Sequence, residues 1–383
     1  MIPRIRAELG VAEMAAALRW PRHDDVARYE QAFAASMGQR HAIAFGYGRS
    51  ALSIALQCLL GSGREVICPA YTCVVVAHAI VTSGNVPVFI DSHADDFNMD
   101  LDAAAAAITS RTGAIIATSL FGHPVNLEHT DALRAAHPDV LMIQDCAHSF
   151  DARWQGRAVQ GAGDFAIFGL NISKLMTSIF GGMLTTDDDA VAQRLRAARD
   201  RKCTPATLAK GLRRAAYLAA VVPAFMAWPY SVVGRLKDWG VLDHFVRYYR
   251  PDVIDMPADY LEAMSPIEAR VGRAQLARHA AILTARRRRA DAWRKRLAHE
   301  AGLVRLPADE AGASWSHFSC VVDDREAWVA RWRARGIELG TLIEYSIPEL
   351  PAYGAWQPAA FPHAAHYARH TVNFPLTSDL RDG

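Results

Sequence analysis

HAIAFGYGRSALSIALQCLLGSGREVICPAYTCVVVAHAIVTSGNVPVFID, residues 41–91, decides the fold class. Ala42-Ile43-Ala44-Phe45 is a short apolar run that ends in Gly46-Tyr47-Gly48, and a helical pattern follows from Ser50 to Leu60. Glu65-Val66-Ile67-Cys68-Pro69 reads as a second strand, Val74 to Ser83 as a second helix, and Pro87-Val88-Phe89-Ile90-Asp91 as a third strand. Thr112–Ser119 (TGAIIATS) and Val140–Gln144 (VLMIQ) are two more apolar runs. Strand-length runs alternating with helical patterns predict an α/β fold, a mostly parallel sheet with helices on both faces. Ligands collect at the carboxyl ends of such strands. Gly46-Tyr47-Gly48, Asp145 and the residues after Ile167-Phe168 all fall there.

The 383 residues, 51% hydrophobic and 21% charged, have room for a large domain and a smaller one. Lys+Arg 42 against Asp+Glu 40 gives a net charge of +2, which argues against a nucleic-acid partner. The basic cluster Arg286–Arg289 reads as the solvated face of a helix. Six cysteines without a CxxC pair predict no metal site and reduced thiols. The start, MIPRIRAELG, has no apolar run of the secretory kind, so a cytoplasmic location is expected.

Ala215–Gly234 carries no charge over 20 residues and is flanked by Arg213, Arg214, Arg235 and Lys237. Its length just reaches a bilayer span, but Pro223 and Pro229 interrupt it. A hairpin buried on the protein and a segment at the inner membrane face fit it as well as a true span. A long helix is expected from about Ser265 to Leu297. Beyond it, Ser319–Val322, Val372–Phe374 and a helix over Glu326–Arg335 predict a small α+β domain. The expected division is a large domain at 1–264, with an apolar insertion at about 205–250, and the connecting helix plus small domain at 265–383.

Lys174 sits in Asn171-Ile172-Ser173-Lys174-Leu175-Met176, shortly before Gly181-Gly182. Burial there favours the neutral, nucleophilic amine, although a lysine can also snorkel to the surface. Asp145 ends an apolar strand and opens Asp145-Cys146-Ala147-His148, where a plain helix cap is the alternative. Gly46-Tyr47-Gly48-Arg49-Ser50 joins a strand to a helix, and such a turn lets backbone N–H groups approach a phosphate. It is neither GxGxxG nor a P-loop, which disfavours nucleotide binding.

In this order the pieces resemble the DegT/DnrJ/EryC1/StrS family of sugar aminotransferases that use pyridoxal 5'-phosphate (PLP). The resembling segments are GYGRSAL, EVICPAYTC (65–73), PVFIDSHADDFNMD (87–100), IIATSLFGHPVNL (115–127), QDCAHSF (144–150), GDFAIFGLNISKLMTSIFGGMLTT (163–186), MSPIEARVGRAQL (264–276) and NFPLTSDL (373–380). They cover nearly the whole chain outside the insertion. The resemblance implies the PLP-dependent transferase (aspartate aminotransferase-like) fold and a homodimer. It implies Lys174 as the Schiff-base lysine, Asp145 at the pyridine nitrogen, His148 near the ring hydroxyl and Ala147 beneath the ring. It implies Gly48, Arg49 and Ser50 as the phosphate turn. Departures from the pattern are equally specific. Gly169 stands where the family has a phosphate-contacting serine, and Cys73 where it has a stacking aromatic. Leu261 and Ala263 stand near the asparagine and arginine that the family lends to a partner subunit. Arg49 replaces a small hydroxyl residue and is expected to make up the phosphate contact. The activity implied is amino transfer, with glutamate as donor and a keto-sugar as acceptor. The alternatives are another PLP reaction on a non-sugar substrate and a degenerate, non-catalytic member. Relatives that deoxygenate sugars carry histidine in place of the lysine, so Lys174 argues against that branch. Tyr71, His78, His317 and Tyr345 are candidate pocket residues by position, and each also fits a structural role.

Overall fold

The computed structural model describes residues 1–4, 8–224, 250–356 and 360–377. Its α-helices in chain order are α1 (Val11–Leu18), α2 (Asp25–Met37), α3 (Gly48–Leu60), α4 (Val75–Thr82), α5 (Leu101–Ala106), α6 (Leu127–Ala136), α7 (Asp189–Lys202), α8 (Leu208–Ala224), α9 (Pro266–Leu276), α10 (His279–Leu297), α11 (Arg325–Ala334) and α12 (Pro362–His370). Its strands are β1 (His41–Phe45), β2 (Glu65–Pro69), β3 (Val86–Ile90), β4 (Thr112–Thr118), β5 (Leu141–Asp145), β6 (Arg153–Trp154), β7 (Arg157–Ala158), β8 (Phe165–Gly169), β9 (Gly182–Thr186), β10 (Leu303–Arg305), β11 (Phe318–Val322) and β12 (Thr371–Phe374).

The large sheet has the order β1-β9-β8-β5-β4-β2-β3. From β3 to β8 every pairing is parallel. β9 runs antiparallel to both β8 and β1, so the expected parallel sheet is mixed near one edge. Residues 170–181 join β8 to β9 without a crossover helix, and a connection that short can only reverse the chain. β2 and β4 are buried at every position, as strands covered on both faces must be. Alternate side chains feed two cores. Ile43 and Phe45 join the cluster that includes α3, α4 and α7 residues; Ala42 and Ala44 join the one that includes α2, α6 and α9 residues.

The long helix expected over Ser265–Leu297 is two helices, parted at Ala277–Arg278. Ser265 and Glu268 form a capping box at the start of α9, with Pro266 in its first turn. At the break Arg278 turns its guanidinium onto Glu13 at 2.8 Å, and Gln275 donates to Glu13 at 2.7 Å. These bonds to the N-terminal segment hold the chain where a continuous helix would have carried it past. The basic cluster on α10 is also corrected. Arg286 is buried and donates to the Ser316 carbonyl at 2.9 Å, Arg287 reaches the Ala311 carbonyl, and Arg289 pairs with Glu8 at 2.6 Å. Only part of this face is solvated; the rest ties the helix to neighbouring loops.

The small sheet β10-β11-β12 is antiparallel. It packs with Trp293 and Leu297 of α10 and Trp328 and Trp332 of α11 into a separate core. The first half of the expected insertion is α8, whose Leu218 is buried against Ile179, Ile267 and Val271. Residues 225–249, with the rest of the apolar stretch, lie outside the described residues. Among the described residues no helix is long and apolar enough to cross a membrane.

Candidate active site

The carboxyl ends of β4, β5 and β8, the start of α3 and the β8–β9 connection converge on one cavity of about 160 Å³. Tyr47, Gly48 and Arg49 line it at the helix start, together with Asp145, Ala147, His148, Gly169 and Lys174. Ser50 is just outside the lining. Its hydroxyl is buried with no hydrogen-bond partner, an orphaned donor in the first turn of α3. No acidic residue lies in that turn, so its N–H groups and the helix dipole offer an uncontested anion site.

The turn is shaped by close backbone approach. A Cβ on Gly182 would lie 2.5 Å from the Gly48 Cα and 2.6 Å from the Tyr47 carbonyl carbon. β9 therefore backs directly onto the helix start, and Gly181-Gly182 permits it. A Cβ on Gly169 would make ordinary contact with Lys174 Cε at 3.4 Å and with Ala147 at 3.5 Å. The space that the family's serine fills is thus real here, and the Lys174 stem borders it.

Lys174 makes no side-chain hydrogen bond or ion pair with a described residue. Burial pulls its pKa below the ordinary lysine value, against the weaker opposing pull of Cys73 and Asp145. Asp145 accepts from the Ala147 N–H at 3.0 Å and from the Thr118 hydroxyl at 3.3 Å. Its burial pushes the carboxyl pKa up. His148 accepts the Phe121 N–H on Nδ1 at 3.4 Å, which leaves Nε2 as the protonated donor. Burial, with Lys174 and His317 nearby, drives its pKa well down, so the ring is neutral. Among the described residues no cluster of His, Cys, Asp or Glu could hold a metal ion.

These groups fit PLP: an amine for the aldehyde, a carboxylate for the ring nitrogen, a neutral imidazole donor for the ring hydroxyl, and a helix start with an orphaned hydroxyl and an arginine for the phosphate. Arg49 makes no side-chain hydrogen bond or ion pair with a described residue, and its positive charge acts on Lys174 and on His78.

The other pocket candidates are displaced from the cavity lining. Tyr71 is core, its hydroxyl directed at the Ile343 and Tyr367 carbonyls. His78 bonds Tyr353 at 2.6 Å, and Tyr345 accepts the Val74 N–H at 3.0 Å. His317 stands one layer back, 5.2 Å from the His148 ring. Leu261 and Ala263 bond Thr204 through their backbone. Lining residues without a role in the sequence reading include Thr118, Leu342 and Ile343, and Tyr47 figures there only as part of the turn. Thr118 ends β4, so the strand-end rule that found Asp145 also reaches it. Leu342 and Ile343 come from the far C-terminal region, and nothing in their local sequence signals the approach.

The chain belongs to the DegT/DnrJ/EryC1/StrS aminotransferase family, whose sequence profile matches residues 7–220 and 233–383. That family is PLP-dependent, and PLP is the cofactor. GDP-perosamine synthase of Caulobacter vibrioides is 34% identical over 181 residues, 47% of this chain and 48% of that protein. The 3-amino-5-hydroxybenzoate synthase of Amycolatopsis mediterranei is 39% identical over 168 residues, 43% of this chain and 42% of that protein. The chain thus matches about half the length of these curated relatives. The sugar aminotransferase CalS13 of Micromonospora echinospora superposes with a TM-score of 0.77 at 20% identity, covering 100% of this chain and 96% of that one. An aminotransferase of Psychrobacter cryohalolentis gives 0.78 at 20% identity, covering 99% and 95%. The fold is that of the PLP-dependent, aspartate aminotransferase-like transferases.

Proposed function

We propose that this chain is a PLP-dependent aminotransferase that moves an amino group from an amino acid, glutamate, to a keto-sugar carried on a nucleotide or a lipid. The observation that carries the reading is the convergence of Lys174, Asp145 and His148 on one cavity whose wall is the first turn of α3. When bound, PLP supplies an aldehyde for the amine and a ring that withdraws electrons from the carbon losing its proton. Lys174 is the attachment point, because its lowered pKa favours the nucleophilic amine. The same amine would be the group to take up and return a proton as acid and base. Asp145 accepts the pyridine N–H, and a cation there offsets the burial that raises its pKa. His148 donates from Nε2 to the ring hydroxyl oxygen. Ala147 and Cys73, which line the same cavity, would flank the ring. Gly48, Arg49 and Ser50 hold the phosphate, Arg49 making up for the serine lost at Gly169.

A second acceptor class is favoured by the cavity's apolar wall of Leu52, Val75, Val76, Leu342 and Ile343. The relative named for an aromatic amino acid, 3-amino-5-hydroxybenzoate, extends the choice to a non-sugar cyclic ketone. We take the active unit as a homodimer, the domain division as falling at Met264–Ser265, and membrane-surface contact through 215–234 as testable by retention on anionic vesicles.

Absorbance tests the central reading. The purified protein is expected to absorb at roughly 410–430 nm after addition of PLP. Lys174→Ala abolishes the band, and glutamate shifts it to that of pyridoxamine phosphate. A wild type that stays colourless with added PLP overturns the reading.

A further inference from the structure

Helix α8, the described part of the insertion, touches both the segment before α3 and the β8–β9 connection through one side chain. Arg214 donates to the Tyr47 hydroxyl at 2.7 Å and to Asp259 Oδ2 at 2.9 Å, while the Tyr47 hydroxyl donates to Asp259 Oδ1 at 2.6 Å. The three groups close a ring through Nη2 of Arg214, the Tyr47 hydroxyl and both carboxylate oxygens of Asp259. The guanidinium also lies 4.0 Å from the centre of the Phe180 ring, a cation–π contact. Its Nε is 3.2 Å from Glu268 Oε1, an ion pair without aligned hydrogen-bond geometry. The other oxygen of Glu268 caps α9 through the Ser265 N–H. One turn earlier, buried Lys210 donates to the Ala263 carbonyl at 2.9 Å and the Glu262 carbonyl at 3.2 Å.

The positions matter. Tyr47 lines the cavity and immediately precedes the α3 turn. Phe180 is in the connection that carries Lys174, and its neighbour Ile179 has φ +75° although β-branched. Such backbone persists only where surroundings hold it. Ile179 is held by the cluster containing Leu218 of α8. Arg214 itself is absent from the cavity lining.

We propose that Arg214 is a positioning residue that clamps the α3 turn, through Tyr47, to the Lys174 connection, through Phe180, and so sets how long the cavity retains its cofactor. The inference rests on the assignment of the cavity to PLP. It gives the insertion a role at the site without requiring contact with substrate.

The test uses the full chain and the variants Arg214→Gln, Arg214→Lys, Tyr47→Phe and the Tyr47→Phe/Arg214→Gln pair. Hydrogen–deuterium exchange of the PLP-free protein reads the clamp directly. Loss of the PLP absorbance band after dilution into a trap for free PLP reads retention. Arg214→Gln is expected to speed exchange in 171–181, and PLP release, by about tenfold each, while exchange in α10 stays within twofold. Arg214→Lys keeps the charge without the fork, so it restores the Phe180 side but not the Tyr47–Asp259 ring, and recovers only part of each effect. In the pair, the two effects on release are less than multiplicative. Unchanged exchange in 171–181, exchange rising evenly through the chain, or multiplicative effects each overturn the proposal. A wild type without PLP absorbance refutes the PLP assignment instead, and the exchange arm still decides whether the clamp exists.

Discussion

Gly182→Ala probes the phosphate turn from behind, pressing on its backbone and on none of the side chains assigned to the cofactor. The new Cβ lies 2.5 Å from the Gly48 Cα and 2.6 Å from the Tyr47 carbonyl carbon. Ordinary contact begins at about 3.4 Å, so the turn must retreat by about 1 Å or β9 must leave β1 at the Phe45–Gly182 pair. Neighbouring backbone cannot rotate away as a side chain does, so overpacking of this kind costs about 1–3 kcal/mol in stability. A shift of that size also removes at least one aligned N–H from the bound phosphate. A hydrogen bond to a charged group contributes about 1.5–3 kcal/mol, so PLP affinity should fall roughly 10- to 150-fold. The assay is titration of PLP-free protein, with circular dichroism and a urea melt to separate folding from binding. If affinity stays within twofold while the melt shows the expected cost, the α3 turn is not the phosphate site.

Asp145→Asn is expected to keep bound PLP but lower amino transfer by about 10²-fold or more, read by single-turnover reaction with glutamate, because a neutral amide does not keep the ring nitrogen protonated. Lys174→Met should raise the melting temperature of the PLP-free protein at pH 7 by about 2 °C or more. The native state releases the Lys174 proton below the unfolded value of 10.5, so wild-type stability rises with pH through that window and the advantage of Met narrows there. His317 behaves the same way at low pH: burial pushes it down to about 3, so the unfolded chain takes the proton first as pH falls below 6.5. His317→Gln should therefore flatten the acid side of the stability profile, measured by urea melts from pH 7 to 4. Arg286→Ala strands the Trp315 and Ser316 carbonyls and should cost about 2–4 kcal/mol in the same melts.

The alternation of apolar runs made the sheet legible, because strands covered on both faces must be apolar throughout. Lys174, Asp145 and His148 were singled out in the sequence by the family resemblance, and the structure brings them to one cavity at the strand ends. The reversal of β9 was not legible, since nothing in Gly182–Thr186 distinguishes one strand direction from the other. The Arg286–Arg289 cluster misled because a run of arginines reads as solvent-facing, whereas α10 lays Arg286 under the Trp315–Ser316 turn. Leu342 and Ile343 reach the cavity from a distant segment that packs on the large-domain core, where the Tyr71 hydroxyl meets the Ile343 carbonyl. Arg214 was quoted only as the flank of an apolar run; its partners Tyr47, Asp259, Glu268 and Phe180 come from three other segments, which no local pattern joins.

The reversal at β9 has a consequence for how such a chain can diverge. Both ends of the 170–181 connection are fastened at the Gly169–Gly182 pair, so the lysine hangs from a loop whose two feet stand side by side on adjacent strands. The ladder fixes where both feet of that loop stand. The walls that Val75, Val76 and Leu342–Ile343 supply can then be rebuilt for a new acceptor while the lysine stays at the same height above the sheet. A lineage with this layout can change what it aminates by altering peripheral segments, leaving the reactive amine where it was.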